Sequence, residues 1–317
     1  MSVQETARVR EVGLRDGLQM VHAMLDAGRK LEWCRRELAA GIADIEVTAF
    51  VPAKVVPQFA DAEEVARGAL AMPGLRPAAL VPNLRGARRA LEIGLKKIDF
   101  VLSASNEHNL RNVRRPTEES IEDFGRIKAW RDEHGAGVEL GVGVATAFGC
   151  TIAGRVEERR VLRIVERLLA LGADEITIAD TVGYADPGQV DALMRQVLAL
   201  AGKVPVACHF HDTRGLGLAN VYAAVQAGVR IFDASLAGLG GCPFAPNATG
   251  NIDTEDCVFL LESLGLRTGA DIDALLELRR SVESWLPGEP FAGAIARAGL
   301  PKTFRLSAGA GPLQRQG

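Results

Sequence analysis

The sequence predicts an α/β chain folded as a (β/α)8 TIM barrel with a short C-terminal helical extension. Three observations predict it. Short β-type runs alternate with helical patterns eight times, over roughly 260 residues. Glycines stop several of the helical patterns, at Gly41, Gly94 and Gly228. No long polar linker interrupts the alternation. The chain, 1–317, therefore reads as one domain, with a barrel over about 8–268 and an extension and tail over about 269–317. A doubly wound open sheet is the competing arrangement. No Gly-x-Gly-x-x-Gly follows the first strand, which counts against a dinucleotide domain.

The strands are expected at Val9–Val12, Asp44–Thr48, Leu75–Val81, Ile98–Leu102, Val138–Ala145, Glu175–Ile178, Val204–His209 and Arg230–Ser235. Helices fall between them. Lys30–Ala40 ends at Gly41, Ala60–Ala71 at Pro73-Gly74, and Arg85–Ile93 at Gly94. Thr117-Glu118-Glu119-Ser120 opens a helix to His134, with its acids in the first turn, where the helix dipole favours them. Val161, Leu162, Val165, Leu168 and Leu169 make one apolar helix face. Pro187 suits the first position of a helix to Leu200. Leu216–Ala227 and Thr254–Leu264 complete the eight. Ala274, Leu275, Leu278 and Val282 mark one further helix, and Ser307–Gly317 a frayed tail.

Composition narrows the function classes. The chain is 48% hydrophobic and 24% charged with net charge −3, an ordinary globular balance with no basic field for nucleic acid. No apolar run approaches the roughly 18 residues of a membrane span. Met1–Arg10 is polar and lacks the apolar centre of a signal peptide. The five cysteines, 34, 150, 208, 242 and 257, are scattered, which fits reduced thiols in a cytoplasm.

Chemistry concentrates where strands end. His209 and His211 are two residues apart at the end of the seventh strand, so both imidazoles face one side, where a metal ion can take two nitrogens. Two core histidines bonded to backbone are the plainer alternative. The first strand runs into Gly13-Leu14-Arg15-Asp16-Gly17, the second carries Glu46, and the sixth runs into Asp180-Thr181. After the eighth come Gly238-Leu239-Gly240-Gly241-Cys242-Pro243 and Asn251. In a barrel these ends form one mouth. Asp16, His209, His211 and Asn251 make a mixed nitrogen and oxygen set, suited to Mg²⁺ or Mn²⁺, with zinc not excluded. Asp16 also suits a turn, and Asn251 also suits a helix N-cap before Thr254. Arg15 and Glu46 are expected to pair across neighbouring strands, with Arg15 available to an oxyanion. Asp180 equally suits a cap on the turn Thr181-Val182-Gly183. Cys242 sits in a glycine run, where a loop thiol can exchange a proton once closure excludes water; most lone cysteines are inert.

The runs Val12-Gly13-Leu14-Arg15-Asp16-Gly17-Leu18-Gln19, Ile45-Glu46-Val47-Thr48-Ala49-Phe50-Val51, Val56-Pro57-Gln58, His209-Phe210-His211-Asp212-Thr213 and Ala237-Gly238-Leu239-Gly240-Gly241-Cys242-Pro243-Phe244-Ala245, with Gly183 after Asp180-Thr181, resemble the 3-hydroxy-3-methylglutaryl-CoA lyase family. The likeness spans roughly residues 8–285, in order. The Arg-Asp-Gly and His-x-His signals are shared with a wider superfamily of TIM-barrel lyases and synthases. The Gly-Leu-Gly-Gly-Cys-Pro run belongs to the lyase branch. The resemblance implies retro-Claisen cleavage of a 3-hydroxyacyl-CoA, for that family to acetyl-CoA and acetoacetate. A lyase on another 3-hydroxyacyl-CoA, bulkier or citramalyl-type, and a Claisen-condensing synthase are the alternatives.

The resemblance also implies roles. Asp16, His209, His211 and Asn251 are the divalent-metal ligands. Arg15 stabilises the thioester enolate oxygen, Cys242 protonates the enolate, and Glu46 and Asp180 are supporting acids. Arg15, Gln19 and Gly241 contact an acyl-CoA substrate. Lys54, Arg114 and Arg115 are candidates for CoA phosphates by charge alone, a solvated face being the plainer reading. The chain is expected to be a cytoplasmic homodimer. Three stretches depart from the family: Met20-Val21-His22 replaces an Asn-Glu continuation, Ala49 replaces a serine, and a tyrosine is missing near Gly143. A smaller, less polar lining points to a different acyl chain.

Overall fold

A computed structural model of the protein describes residues 5–135, 137–241 and 250–305. Eight parallel strands close into a barrel in chain order, with β8 pairing back onto β1. They are β1 (Arg8–Glu11), β2 (Asp44–Ala49), β3 (Arg76–Val81), β4 (Lys97–Ser103), β5 (Glu139–Ala145), β6 (Glu175–Asp180), β7 (Val206–Phe210) and β8 (Ile231–Ala234). Eleven helices are described: α1 (Ala27–Ala39), α2 (Ala62–Leu70), α3 (Leu84–Ile93), α4 (Asn106–Val113), α5 (Thr117–His134), α6 (Glu158–Ala170), α7 (Pro187–Ala201), α8 (Gly217–Ala227), α9 (Thr254–Ser263), α10 (Ile272–Trp285) and α11 (Ile295–Ala298). The (β/α)8 expectation holds, strand by strand. The expected tail, 307–317, lies outside the described residues.

Two differences from expectation have physical causes. β7 starts at Val206 rather than Val204, because Pro205 has no N–H to give a ladder. Helix α4 was not expected, since Asn106-Glu107-His108-Asn109 has no apolar periodicity. Polar bonds build it instead. Ser105 caps it through His108 N, 3.2 Å, and Asn109 accepts from Ser103 N, 2.8 Å, while donating to Ser120 Oγ, 2.7 Å.

The registers decide what faces the barrel axis. Partners in a parallel pair share a face. Arg10 pairs with Asp233, Asp233 with His209, and His209 with Ala179. A second inward row runs Ala49, Leu80, Asp99, Gly141 and Glu175. Positions 46 and 49 of a regular strand face opposite sides. A register shift between Glu46 and Thr48 turns both inward.

The lower interior is ionic rather than filled by branched apolar side chains. Arg10 Nε donates to Asp233 Oδ1 at 2.6 Å, and Arg10 also pairs with Glu175. Lys97 Nζ donates to Glu175 and to Glu139, 2.8 Å each. Asp99 lies across Gly141, where a Cβ would meet Asp99 Oδ1 at 2.2 Å. Burial pushes Asp99 up to about 7; Lys97 and Arg10 oppose this, and Glu46 and Glu175 add to it.

Helix α1 meets β1 through two buried carboxyls. Glu37 accepts from Trp33 Nε1 and lies against Glu11. Burial and the Glu11 charge hold Glu37 well above the usual carboxylate range, so it carries the proton the two share. Glu37→Gln, which mimics the protonated acid, is expected to stay within about 1 kcal/mol of wild type, and Glu37→Ala to lose about 3 kcal/mol, leaving a cavity and the indole N–H without its acceptor; urea unfolding measures both. Asp99 supplies a pH test. Its folded pKa lies above its unfolded one, so its stabilising contribution is complete at acid pH and is lost as pH rises through about 7. Asp99→Asn is therefore expected to gain more than about 1 kcal/mol over wild type between pH 4.5 and pH 8.

Candidate active and metal site

The site sits at the C-terminal mouth of the barrel. After β1 the chain makes one wide, π-type helical turn, Gly13–Gly17. The N–H groups of Arg15, Asp16 and Gly17 converge on Val12 O at 3.0, 2.6 and 3.4 Å, which turns Arg15 and Asp16 over the mouth. Buried Glu11 anchors this turn. Its Oε1 accepts from Gly13 N at 2.6 Å and Leu236 N at 3.0 Å, and its Oε2 from Thr254 Oγ1 at 2.9 Å. One carboxylate thus ties the Arg15-Asp16 turn to the loop after β8 and to the start of α9.

That loop approaches Asn251 closely. Gly240 has φ +137°, and a Cβ there would lie 2.4 Å from Asn251 Nδ2. Asn251 Nδ2 donates to Asp16 Oδ2 at 2.9 Å and to Leu239 O at 3.0 Å. Both partners are acceptors, which fixes the amide's orientation. Its Oδ1 is buried without a hydrogen-bond partner among the described residues. The N-cap of α9 is Asp253, which accepts from Asp256 N, so Asn251 is not the cap.

His209 ends the inward row of β7, and His211 follows it in a bridge with Asn251. Their Nε2 atoms are 3.1 Å apart, and Asp16 Oδ2 lies 4.0 Å from His209 Nε2 and 3.7 Å from His211 Nε2. Asp16, His209 and His211 each offer an atom within 4.8 Å of the others. His211 Nδ1 is buried and unpartnered. Two imidazole nitrogens face to face, a carboxylate beside them and an orphaned amide oxygen nearby are a donor set suited to a divalent cation. Its electrostatics agree. Burial alone would raise Asp16; Arg15, His209, His211 and Asn251 instead hold it down to about 2. Burial, then His209, pushes His211 down to about 4, leaving it neutral.

Arg15 donates through Nε to Glu46 and through Nη1 to Asp16, the expected pairing. Burial would weaken its charge, but Glu46 and Asp16 raise its pKa above the ordinary value. Nη2 takes part in neither bond. Burial raises Glu46 against the pull of Arg15. Asp180 accepts from Tyr184 N at 2.8 Å and Ala185 N at 3.0 Å, which is the turn-capping arrangement; burial pushes it up to about 6.

Gln19 is half-buried just beyond the Arg15-Asp16 turn, and Gly241 is half-buried at the end of the Gly238–Gly241 stretch. Cys242 lies outside the described residues. Among the charge-only candidates, Arg115 is committed to Asp123, while Lys54 is exposed on the loop after β2 and Arg114 at the C-terminal end of α4. Sequence reasoning missed Glu11, Arg10 and Asp233. The signal was present, as charges inside the apolar runs Val9-Arg10-Glu11-Val12 and Ile231-Phe232-Asp233-Ala234.

Residues 7–282 match the HMGL-like family model. An (R)-citramalyl-CoA lyase of Chloroflexus aurantiacus is 40% identical, over 93% of this chain and 95% of its own. The hydroxymethylglutaryl-CoA lyase YngG of Bacillus subtilis is 37% identical, over 92% and 96%. Among solved structures, an HMG-CoA lyase from Acenitobacter baumannii in complex with coenzyme A and 3-methylmalate superposes with a TM-score of 0.90 at 40% identity, covering 96% of this chain and 99% of that one. The chain belongs to the HMGL-like family and is, like these relatives, a carbon–carbon lyase.

Proposed function

We propose that the protein cleaves a 3-hydroxyacyl-CoA by retro-Claisen chemistry, with 3-hydroxy-3-methylglutaryl-CoA as substrate and acetyl-CoA and acetoacetate as products. The observation that carries it is the convergence of Asp16, His209 and His211 beside the buried Arg15–Glu46 pair at the barrel mouth. Asp16, His209, His211 and Asn251 would hold Mg²⁺ or Mn²⁺, which when bound supplies a Lewis acid for the substrate's hydroxyl and carboxylate oxygens.

The chain's own residues do the rest. The hydroxyl gives its proton to a basic group at the mouth, its oxygen becomes the ketone carbonyl of one product as the bond between the hydroxyl-bearing carbon and the thioester α-carbon breaks, and the electron pair moves onto the thioester carbonyl oxygen. Arg15 presents Nη2 to the resulting enolate oxygen, while Glu46 and Asp16 fix the guanidinium plane. Cys242, on the resemblance of its glycine run, gives the proton that converts the enolate to acetyl-CoA. Asp180 supports the mouth by shaping the turn after β6. Gln19 and Gly241 flank the acyl group.

A second substrate reading has its own support. The 40% identical relative is a citramalyl-CoA lyase. Citramalyl-CoA is one methylene shorter and would yield acetyl-CoA and pyruvate. A methylene discriminates by about 10- to 200-fold in kcat/KM, so parallel assays separate the two.

Cleavage of 3-hydroxy-3-methylglutaryl-CoA is expected with Mg²⁺ or Mn²⁺, to disappear with chelator and to return when metal is restored. Arg15→Gln is expected to lower kcat by about 10²–10³, and Cys242→Ala by about 10²–10⁴. Turnover untouched by chelator would overturn the metal assignment. Cleavage of neither substrate by metal-loaded protein would overturn both substrate readings.

A further inference from the structure

The two histidines are not equivalent. Among the described residues His211 Nδ1 has no hydrogen-bond partner, whereas His209 Nδ1 lies 3.3 Å from Asp233 Oδ2. Asp233 sits one strand over, on β8, in register with His209. Its other oxygen accepts from Arg10 Nε at 2.6 Å. Arg10 is itself fixed from the far side by Glu175 and by Thr177 Oγ1, 3.2 Å from its Nη2. Three consecutive positions of one inward row, Arg10, Asp233 and His209, thus form a chain from the barrel floor to the mouth. Among the described residues, no other carboxylate is bonded to either imidazole's Nδ1.

We propose that Asp233 is the positioning residue for His209: it accepts a hydrogen bond from Nδ1–H, so that the bare Nε2 faces Asp16, and Arg10 fixes the carboxylate in that direction. A carboxylate can only accept, so it selects one imidazole tautomer and one ring orientation. In the metal-free protein, His209 Nε2 then accepts from His211 Nε2–H across the 3.1 Å gap. His209 is thereby set for a cation before one arrives. The proposal rests on the reading of His209 as a ligand.

Asp233→Asn tests the direction of this bond while conserving shape. An asparagine that still accepts from His209 must turn its NH₂ toward Arg10 Nε–H, donor against donor. Turning its oxygen to Arg10 instead presents NH₂ to His209. Nδ1 must then accept, and the proton moves to Nε2.

The experiment is long-range ¹H–¹⁵N spectroscopy of the imidazoles in metal-free full-length protein at pH 8.5. The His209 signal is identified among the five histidines by its loss in His209→Gln. Wild type is expected to show Nδ1 protonated and Nε2 bare at His209, and Asp233→Asn the reverse. Mn²⁺ titration by calorimetry is expected to show about 10- to 100-fold weaker binding by Asp233→Asn. A wild-type His209 protonated at Nε2 overturns the proposal, even if Asp233→Asn does not fold. So does an unchanged tautomer in a folded Asp233→Asn. Failure of wild type to bind Mn²⁺ removes the ligand reading instead, and the spectrum still decides the role of Asp233.

Discussion

The Glu11 carboxylate is the constraint on which the site depends. It accepts from Gly13, Leu236 and Thr254, which lie at the start of the Arg15-Asp16 turn, at the start of the loop after β8 and just after Asn251. Charge-assisted bonds of this kind are worth about 1.5–3 kcal/mol each, and they offset the cost of burying the group. Proton sharing with Glu37 removes the second charge that the pair would otherwise bury. One residue at the end of β1 therefore connects both closing strands of the barrel, and the site straddles that closure.

Below the mouth the interior is held by ion pairs. Arg10, Lys97, Glu139, Glu175 and Asp233 form a connected set on five strands. Replacing such a set with apolar side chains is often neutral or stabilising. Its value here is direction. Arg10 and Glu175 cannot slide against each other as two leucines can, and Arg10 lies in the register that ends at His209. Small residues above them, Ala49, Gly143 and Ala179, keep the upper barrel open.

Most of the fold was legible because its signals are local. Glycine stops, Pro187 and the apolar face of α6 each mark one element, and every β-type run became a strand. The His-x-His spacing also survived, since a strand's two-residue period fixes which face both rings share. Other features depend on partners far along the chain. Helix α4 is built from side-chain hydrogen bonds that periodicity does not register. The shift in β2 that turns both Glu46 and Ala49 inward is a property of its pairing with β3. Asp180 and Asn251 show the ambiguity of single polar residues. Asp180 does cap its turn; Asn251 leaves the cap to Asp253, two residues on, and donates to Asp16. Asp233 was visible as a charge in an apolar strand, but its meaning came from Arg10, 223 positions away.

The central claim is that His209 and His211 hold one divalent ion at the barrel mouth. Pulsed electron paramagnetic resonance on a stoichiometric Mn²⁺ complex reads the ligand nitrogens directly. The account predicts modulation from two imidazole nitrogens, falling to one when His211 is replaced by glutamine. A spectrum without nitrogen coupling, or one unchanged in that variant, would contradict it.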